Sequence, residues 1–325
     1  MAGLKLSMAC WDYDRTRPLI DGRVKAEGID LSVQVMRPRI AFERMLKTGE
    51  FDVSEMSFAN YIALIGQGDT SLMAIPVMLS KMFRHNCIYI RSDAGITKPQ
   101  DLKGKRIGTM RYSSTALVYA RGLLAHEYGI GEEDVEWFIG GINEPLASKR
   151  PEHARTQVRI NILKADQTID RMLVNGEIDA VISQDFPDSF LNNDPRIRRL
   201  FPDFDRVEAD YFRRTGIFPI MHVIAMKREI HAANPWVAGA LYRAFEAAKS
   251  LALHGLHDTD ALHLALPFLI RHVEEARQTF GPDFFSYGLE HNLRSVQAAC
   301  DYAFEQNLCP RKVRPDELFA DVGAS

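Results

Sequence analysis

Residues 98–128 read KPQDLKGKRIGTMRYSSTALVYARGLLAHEY, the clearest strand-to-helix pattern in the chain. The polar residues 98–105 predict a loop with a short helical turn, and residues 106–110 predict a strand. Residues 113–128 have helical spacing, and three hydroxyl residues at the start are candidates to cap the first turn. A strand that leads directly into a helix is typical of an α/β domain with a parallel sheet.

The same alternation continues on both sides of this stretch. Further strands are predicted at residues 4–9, 29–35, 51–53, 73–78, 86–90, 135–139, 178–182 and 217–226. Further helices are predicted at residues 40–46, 58–65, 166–174, 236–253, 260–278 and 287–306. Residues 54–57 are interpreted as a turn and residues 143–160 as an irregular exposed segment. The pattern predicts an α/β protein with mainly parallel sheets, helices on both faces and a C-terminal helical extension.

Length and composition exclude several classes of protein. The chain has 325 residues, of which 46% are hydrophobic and 26% charged. These values are ordinary for a soluble globular protein of about two domains and exclude a disordered or fibrous chain. The formal net charge is −3, without the basic surplus that nucleic-acid and anionic-membrane binders usually carry. No apolar run reaches the roughly 18 residues of a membrane span.

The N-terminus and the cysteines predict a cytoplasmic protein. In MAGLKLSMACWDYDRTRP, charged residues interrupt the chain before the apolar region of a signal peptide could be completed. The four cysteines lack the spacing of a zinc site or a disulfide framework, so free thiols are expected. They are Cys10, Cys87, Cys300 and Cys309. Phosphate-binding, dinucleotide-binding and nucleophile-elbow motifs are also absent from the sequence.

Five stretches carry a resemblance to a known family. They are CWDYDRTRPL at 10–19, GEFDVSEMS at 49–57, FRHNCIYI at 83–90, DLKGKRIG at 101–108 and TGIFPIMH at 215–222. The fourth stretch occurs in many type II binding proteins, whereas the first, third and fifth are more specific. Together they resemble the 4,5-dihydroxyphthalate decarboxylase family, which has a type II periplasmic-binding-protein-like fold.

The resemblance implies a two-lobed fold and a decarboxylase. Lobe one would comprise residues 1–95 and 215–325, lobe two residues 96–214, with a ligand cleft between them. The implied reaction is that of a carboxy-lyase, which converts 4,5-dihydroxyphthalate to 3,4-dihydroxybenzoate and CO2. The main alternative is a non-catalytic solute-binding protein of a transporter for a carboxylic acid. A pyrimidine-precursor enzyme related to thiamine biosynthesis is a third alternative, since it shares the fold.

The reaction requires a proton donor to the ring carbon and a group that accepts or shares the phenol proton. Histidine suits the donor because its pKa lies near neutrality, and His222 and His85 are the candidates. Glu55, Asp14 and Asp185 are the candidate partners of the phenol. The sequence does not choose among them, and a histidine in an apolar strand is often only a core residue.

The predicted substrate-binding residues follow from the rule that ligands bind at strand ends and helix N-termini. Arg111, Ser113 and Ser114 would hold the retained carboxylate, although the hydroxyls also suit plain helix capping. Arg84 would hold a second anionic group or form a structural ion pair. The other predicted contacts are the aromatic residues Trp11 and Tyr13, which could equally cover the hinge, and the loop residues Asp14 and Ser57. Asp12, Asp14 and Arg15 could instead simply pair with one another.

The predicted partner is a small aromatic carboxylate, with neither nucleic acid nor membrane. No organic cofactor is required because the aromatic ring itself stores the charge, and a divalent metal is left open because no clear ligand motif is present. The polar patch at 254–263 is interpreted as helix-cap and loop residues. The apolar faces of the long helices at 236–306 favour a homo-oligomer.

Overall fold

Two mixed β-sheets organise the computed structural model, which describes residues 3–146 and 158–323. The chain divides between them into two units. Unit 1 contains Met1–Lys81, Ile220–Gln297 and Val313–Ser325, and unit 2 contains Met82–Pro219 and Ala298–Lys312. Each unit is therefore built from more than one stretch of the chain.

Strands and helices alternate along most of the described residues. The strands are β1 (Leu4–Cys10), β2 (Ile29–Val35), β3 (Val53–Ser57), β4 (Leu72–Lys81), β5 (Ile88–Arg91), β6 (Arg106–Thr109), β7 (Glu136–Ile139), β8 (Ile160–Ile162), β9 (Ala180–Ile182), β10 (Ile197–Arg199) and β11 (Ile220–Lys227). The helices are α1 (Arg17–Ile20), α2 (Pro38–Thr48), α3 (Phe58–Gly66), α4 (Thr115–Tyr128), α5 (Ile169–Asn175), α6 (Asp188–Leu191), α7 (Phe204–Thr215), α8 (Arg228–Ala233), α9 (Trp236–Gly255), α10 (Leu269–Phe280) and α11 (Leu289–Glu305). The predicted α/β class and C-terminal helices are confirmed.

The sheet of unit 1 has the strand order β2-β1-β3-β11-β4. β1 runs parallel to β2 and β3, whereas β11 runs antiparallel to β3 and β4. Apolar side chains such as Met8, Val53 and Ile75 are completely buried in its core. Because β1, β3 and β4 point the same way, their carboxyl ends lie at one edge of the sheet.

The sheet of unit 2 has the strand order β10-β5-β9-β6-β7-β8. Pairing is parallel from β9 through β8, whereas β5 runs antiparallel to both β9 and β10. β6, β9 and β10 therefore end at one edge, and α4 begins shortly after β6. Ser114 is the N-cap of α4, since its Oγ accepts a hydrogen bond of 3.4 Å from the backbone N–H of Leu117. The predicted capping role of Ser114 is confirmed.

Residues 54–57 form the end of β3 and not the predicted turn. Three of these four residues are polar, which is typical of a turn, yet all four are buried. β11 pairs with this segment from Ser54, opposite Ala225, to Ser57, opposite His222. The long-range pairing supplies the backbone hydrogen bonds that we expected a local turn to make.

Other predicted elements differ because of proline, charge or strand direction. The helix predicted at 260–278 begins only at Leu269, since Pro267 lacks an N–H group and does not continue a helix. α7 was not predicted, and six of its twelve residues are charged. The sheets are mixed rather than mainly parallel because β5 and β11 oppose their neighbours. Of the segment predicted as irregular, residues 147–157 lie outside the described residues, and β8 falls at its end.

The bounds of the units differ from the predicted lobes at three places, of which the shortest is the segment 215–219, which lies in unit 2. Residues 82–95 lie in unit 2 because β5 pairs with β9 and β10. Residues 298–312 also lie in unit 2, because the second half of α11 packs on α4. There Gln306 accepts a 2.9 Å hydrogen bond from Nε of Arg121 and donates a 2.8 Å bond to the carbonyl of Val118.

All four cysteines are free and buried, which confirms the prediction of free thiols. Among the described residues, none of the helices combines the length and hydrophobicity that a membrane span requires.

The packing of α4 against α11 gives a test of unit 2. A methyl group at Gly122 would overlap the ring of Tyr302. Glycine-to-alanine changes inside helices usually stabilise by about 0.5–1 kcal/mol. We expect Gly122→Ala instead to lower the free energy of unfolding by about 1–3 kcal/mol, measured by urea denaturation. In a Tyr302→Ala background the same change should become neutral or stabilising; stabilisation in the wild-type background would contradict this packing.

Candidate active site

Polar side chains gather at the edge of the unit 1 sheet where β1, β3 and β4 end. The loop 11–16 follows β1, Glu55 lies in β3, and His222 lies near the start of the oppositely directed β11. Ligands of α/β folds bind at the carboxyl ends of strands. This edge is therefore the candidate active site of unit 1.

The carboxylate of Glu55 is the centre of this site and is completely buried. Its Oε1 accepts hydrogen bonds of 2.7 Å from the Tyr13 hydroxyl and of 2.7 Å from Nδ1 of His222. Its Oε2 accepts a 2.9 Å bond from the backbone N–H of Trp11. One buried carboxylate thus joins the loop after β1 to β3 and β11.

Local turn chemistry holds the loop after β1 in position. The buried Thr16 hydroxyl donates to the carbonyl of Trp11 at 2.8 Å and accepts from the N–H of Tyr13 at 2.9 Å. These bonds close the loop on itself, as is common for Ser and Thr in turns. The backbone of Trp11 and the side chain of Tyr13 consequently both face Glu55.

Strand register brings Glu55 and His222 together. Glu55 lies opposite Ile224 and Ser57 lies opposite His222 in the antiparallel pair of β3 and β11. Glu55 and His222 are therefore diagonal neighbours on one face of the sheet, within reach of long side chains. The pairing of β11 with β4 shifts register on both sides of His222. Such irregularities redirect side chains, and they are frequent beside active sites.

The hydrogen bonds around Glu55 and His222 determine which of these two side chains carries the proton. Burial alone would raise the pKa of Glu55, but the hydrogen bond and charge of His222, with the bonds from Tyr13 and Trp11, hold that pKa below its ordinary value. An ionised carboxylate accepts, so Nδ1 of His222 carries the proton and donates. The ring nitrogen Nε2 then remains for chemistry, and the side chain of His222 is 22% exposed. Burial, together with the Glu55 charge, raises the pKa of Tyr13, which therefore stays a neutral donor.

A stack of cations and aromatic rings adjoins Tyr13. The guanidinium of Arg15 lies 4.1 Å from the centre of the Tyr13 ring and 4.6 Å from that of Phe285. Nζ of Lys81 lies 4.9 Å from the same Phe285 ring, and burial lowers the pKa of Lys81 to about 7. Arg15 also pairs with Asp14 at 3.0 Å, which gives the predicted phenol partner Asp14 a cationic partner of its own. The sequence analysis did not select Arg15 or Lys81 as site residues. Lys81 could have been selected because it is a lysine at the end of an otherwise apolar strand.

Two further predicted residues, Arg84 and His85, are buried in unit 2. The His85 ring packs edge-on against Phe201 and Tyr211, and neither ring nitrogen has a hydrogen-bond partner within the described residues. Burial lowers the pKa of His85 to about 4. His85 is therefore neutral at pH 7, whereas a proton donor must carry its proton at the working pH.

Arg84 shares its surroundings with Glu208, whose side chain accepts from the backbone and side-chain nitrogens of Asn86 at 3.1 and 2.9 Å. Burial lowers the pKa of Arg84, and the charge of Glu208 opposes that change. Burial raises the pKa of Glu208 to about 7. With only 6% of its surface exposed, Arg84 fits the structural alternative better than a contact with substrate.

The remaining predicted residues also lie in unit 2. Arg111, Ser113 and Ser114 are half-buried between β6 and the first turn of α4. Asp185 follows β9, is exposed, and has no side-chain hydrogen-bond or ion-pair partner within 3–146 and 158–323. Among those residues, no group of three or more His, Cys, Asp or Glu side chains is arranged to hold a metal ion.

Comparison with known proteins identifies the family. A curated 4,5-dihydroxyphthalate decarboxylase from Comamonas testosteroni is 37% identical, over 98% of this chain and 97% of the relative. The chain belongs to the 4,5-dihydroxyphthalate decarboxylase family. A second decarboxylase of that name, from Pseudomonas putida, is 35% identical over 66% of this chain and 83% of the relative. The predicted resemblance is thus confirmed.

Two further matches concern the fold. The family model of the phosphonate periplasmic substrate-binding protein of ABC transporters matches residues 13–186. The solved periplasmic sulfonate-binding protein SsuA from Methylobacillus flagellatus is 12% identical, with a TM-score of 0.56 over 98% of this chain and 92% of that chain. The predicted periplasmic-binding-protein-like fold is confirmed.

Four of the predicted site residues come together in the structure. Trp11, Tyr13, Glu55 and His222 share hydrogen bonds, and the buried Ser57 lies opposite His222 in the strand pair. His85, Asp185, Arg84, Arg111, Ser113 and Ser114 lie in unit 2. Of the two candidate histidines, His222 is hydrogen-bonded to a carboxylate at 2.7 Å, whereas Nδ1 of His85 lies 3.9 Å from the carboxylate of Glu208.

Stability against pH tests the buried carboxylate. Because the pKa of Glu55 is depressed below its ordinary 4.5, its contribution to stability is complete above about pH 4.5 and is lost as the pH falls through the folded-state value. We expect Glu55→Gln to reduce the free energy of unfolding by about 3–5 kcal/mol at pH 7. In urea titrations the difference between wild type and variant should shrink below pH 4.5. The exposed Glu43→Gln should show little difference at any pH, and a Glu55→Gln difference that grows in acid would refute the assignment.

Proposed function

We propose that this chain is a carboxy-lyase that converts 4,5-dihydroxyphthalate to 3,4-dihydroxybenzoate and CO2. The observation that carries the proposal is the Glu55–His222 pair at the carboxyl edge of the unit 1 sheet. The names of its two curated relatives support the same reaction and the same substrate.

The chemistry needs one proton and no change of oxidation state at the protein. A base takes the proton of the hydroxyl para to the departing carboxylate, which pushes electrons into the ring, and returns it once the ring is aromatic again; with Glu55 bound to His222, Asp14 and Asp185 stay the candidates for this base. The ring carbon that bears that carboxylate takes a proton, and a C–H bond forms. The C–C bond to the carboxylate then breaks, CO2 leaves, and the electron pair of that bond restores the aromatic ring.

His222 is the proton donor in this proposal, and Glu55 is its positioning partner. The carboxylate fixes the ring through Nδ1 and stabilises the imidazolium, so that Nε2 gives the proton to carbon. Tyr13 and the backbone of Trp11 hold the carboxylate in turn, at 2.7 and 2.9 Å. The proton donor is thus oriented by a carboxylate that is itself held by two further hydrogen bonds.

The anionic substrate also needs cationic or dipolar anchors. The start of α4 presents N–H groups next to Arg111 and Ser113, and such helix starts favour carboxylates. We propose that these groups bind the retained carboxylate. The aromatic ring itself stores the electron pair, so we expect the reaction to need no organic cofactor. The dependence on a divalent metal is a separate question, which an assay with and without added metal answers. A cytoplasmic location and a homo-oligomer stay predictions.

A second candidate function is that of a non-catalytic binding protein for an aromatic carboxylate. The match of residues 13–186 to a periplasmic substrate-binding family favours it. It requires the same anchors but no proton donor, so turnover separates the two functions.

The test is to incubate metal-stripped protein with 4,5-dihydroxyphthalate, with and without added divalent metal, and to follow CO2 and 3,4-dihydroxybenzoate. We expect turnover by wild type and a loss of about 10²–10⁴-fold in kcat for His222→Gln. The exposed His272→Gln on α10 is the matched control and should retain wild-type kcat. Binding without turnover by wild type would favour the binding protein, and a fully active His222→Gln would refute the proton-donor role.

A further inference from the structure

Arg199, the last residue of β10, lies among four aromatic rings of unit 2. The guanidinium carbon is 4.8 Å from the ring centres of Phe190 and Phe204, and 5.9 Å from those of Tyr89 and Phe186. Such contacts fix the direction of a guanidinium and leave its hydrogen-bond donors at the edge of its plane.

The charge of Arg199 has no anionic partner among the described residues. Its Nε donates a 3.0 Å bond to the carbonyl of Asn86, and its other polar neighbour is the hydroxyl of Tyr89. Nearby Arg196, in contrast, pairs with Asp194 at 2.6 Å. A half-buried cation without a counterion is unfavourable until an anion pairs with it.

Strand direction places Arg199 at the ligand-binding edge of its sheet. β10 runs antiparallel to β5, with Arg199 opposite Tyr89, and β5 runs antiparallel to β9, with Tyr89 opposite Val181. β10 is therefore parallel to β9 and β6, and Arg199 lies where these strands end. The start of α4 follows the same edge, so Arg199 and the proposed carboxylate anchors belong to one side of one unit.

Phe186 and Phe190 form an aromatic wall beside Arg199. This wall is partly exposed, and hydrogen bonds hold the loop that carries it. Phe186 is 45% exposed and lies nearly parallel to Phe190, with an interplanar angle of 15°. Asn143 donates a 2.9 Å bond to the carbonyl of Phe186 and accepts a 3.0 Å bond from the N–H of Asp188. An exposed phenylalanine in a braced loop next to a cation suits a ligand with both a ring and a negative charge.

We infer that Arg199, with Phe186 and Phe190, binds one carboxylate and the ring of an aromatic acid. The inference rests on the proposed function for the identity of that acid. Arg199 takes the role that the sequence suggested for Arg84, because Arg84 is almost completely buried. Arg199 is then a specificity-determining residue that selects aromatic carboxylates.

Calorimetric binding of phthalate, a ring diacid without the hydroxyls, tests this site apart from the reaction. We expect Arg199→Gln to weaken phthalate binding by about tenfold or more. Arg198→Gln is the matched control, since Arg198 precedes Arg199 in β10 and donates to the carbonyl of Ile96 at 2.6 Å. It should bind phthalate as wild type does. Equal affinity of Arg199→Gln and wild type, or no phthalate binding by wild type, would overturn the inference.

A second variant covers the case in which Arg199→Gln folds poorly. Phe186→Leu changes an exposed ring, and we expect it to weaken binding of phthalate several-fold but not binding of cyclohexane-1,2-dicarboxylate. Equal loss for both diacids, or no loss for either, would overturn the role of the aromatic wall.

These measurements distinguish an error in the proposed reaction from an error in the proposed binding site at Arg199. If wild type binds phthalate, loses it on Arg199→Gln, and does not turn over 4,5-dihydroxyphthalate, the reaction is wrong and the binding site stands. If wild type turns over while Arg199→Gln retains both phthalate affinity and KM, the binding site is wrong and the reaction stands.

Discussion

The buried carboxylate of Glu55 is the constraint on which unit 1 depends. A buried ion is unfavourable by several kcal/mol unless charge and hydrogen bonds compensate for its lost hydration. Here the compensation comes from Tyr13 and Trp11 after β1 and from His222 in β11. Stretches of chain more than 160 residues apart in sequence therefore have to meet correctly before Glu55 is satisfied. The same contacts fix the histidine tautomer, so in the proposed function the requirement for folding and the requirement for catalysis coincide.

Unit 2 also contains histidine and arginine side chains, but their surroundings differ from those of the Glu55 site. His85 and Arg84 are buried beside Glu208, and burial shifts their pKa values toward the neutral forms. The guanidinium of Arg199 in contrast lies at the sheet edge, between aromatic rings. The difference between them is exposure, because a guanidinium can recognise a carboxylate only where the carboxylate can reach it. The proposed function accordingly assigns proton transfer to the Glu55–His222 pair and carboxylate binding to residues of unit 2.

The sequence identified much of the fold and part of the site. The strand-to-helix pattern around residues 98–128 was enough for the α/β class, and the residues Trp11, Tyr13, Glu55 and His222 were all selected. Their pairing could not be predicted, because it depends on the register between β3 and β11, which no local pattern encodes. For the same reason residues 54–57 resembled a turn. Arg199 and Lys81 were missed because their significance lies in neighbours distant in sequence, such as Phe186 and Phe285.

The central claim is that Glu55 holds the proton of His222 on Nδ1 and leaves Nε2 for chemistry. The tautomer of His222 measured by ¹⁵N nuclear magnetic resonance on histidine-labelled protein tests it most directly. The account predicts the Nδ1–H tautomer for neutral His222 in the wild-type protein and its loss in Glu55→Gln. An Nε2–H tautomer in the wild-type protein would contradict the account, because Nδ1 could not then donate to the carboxylate.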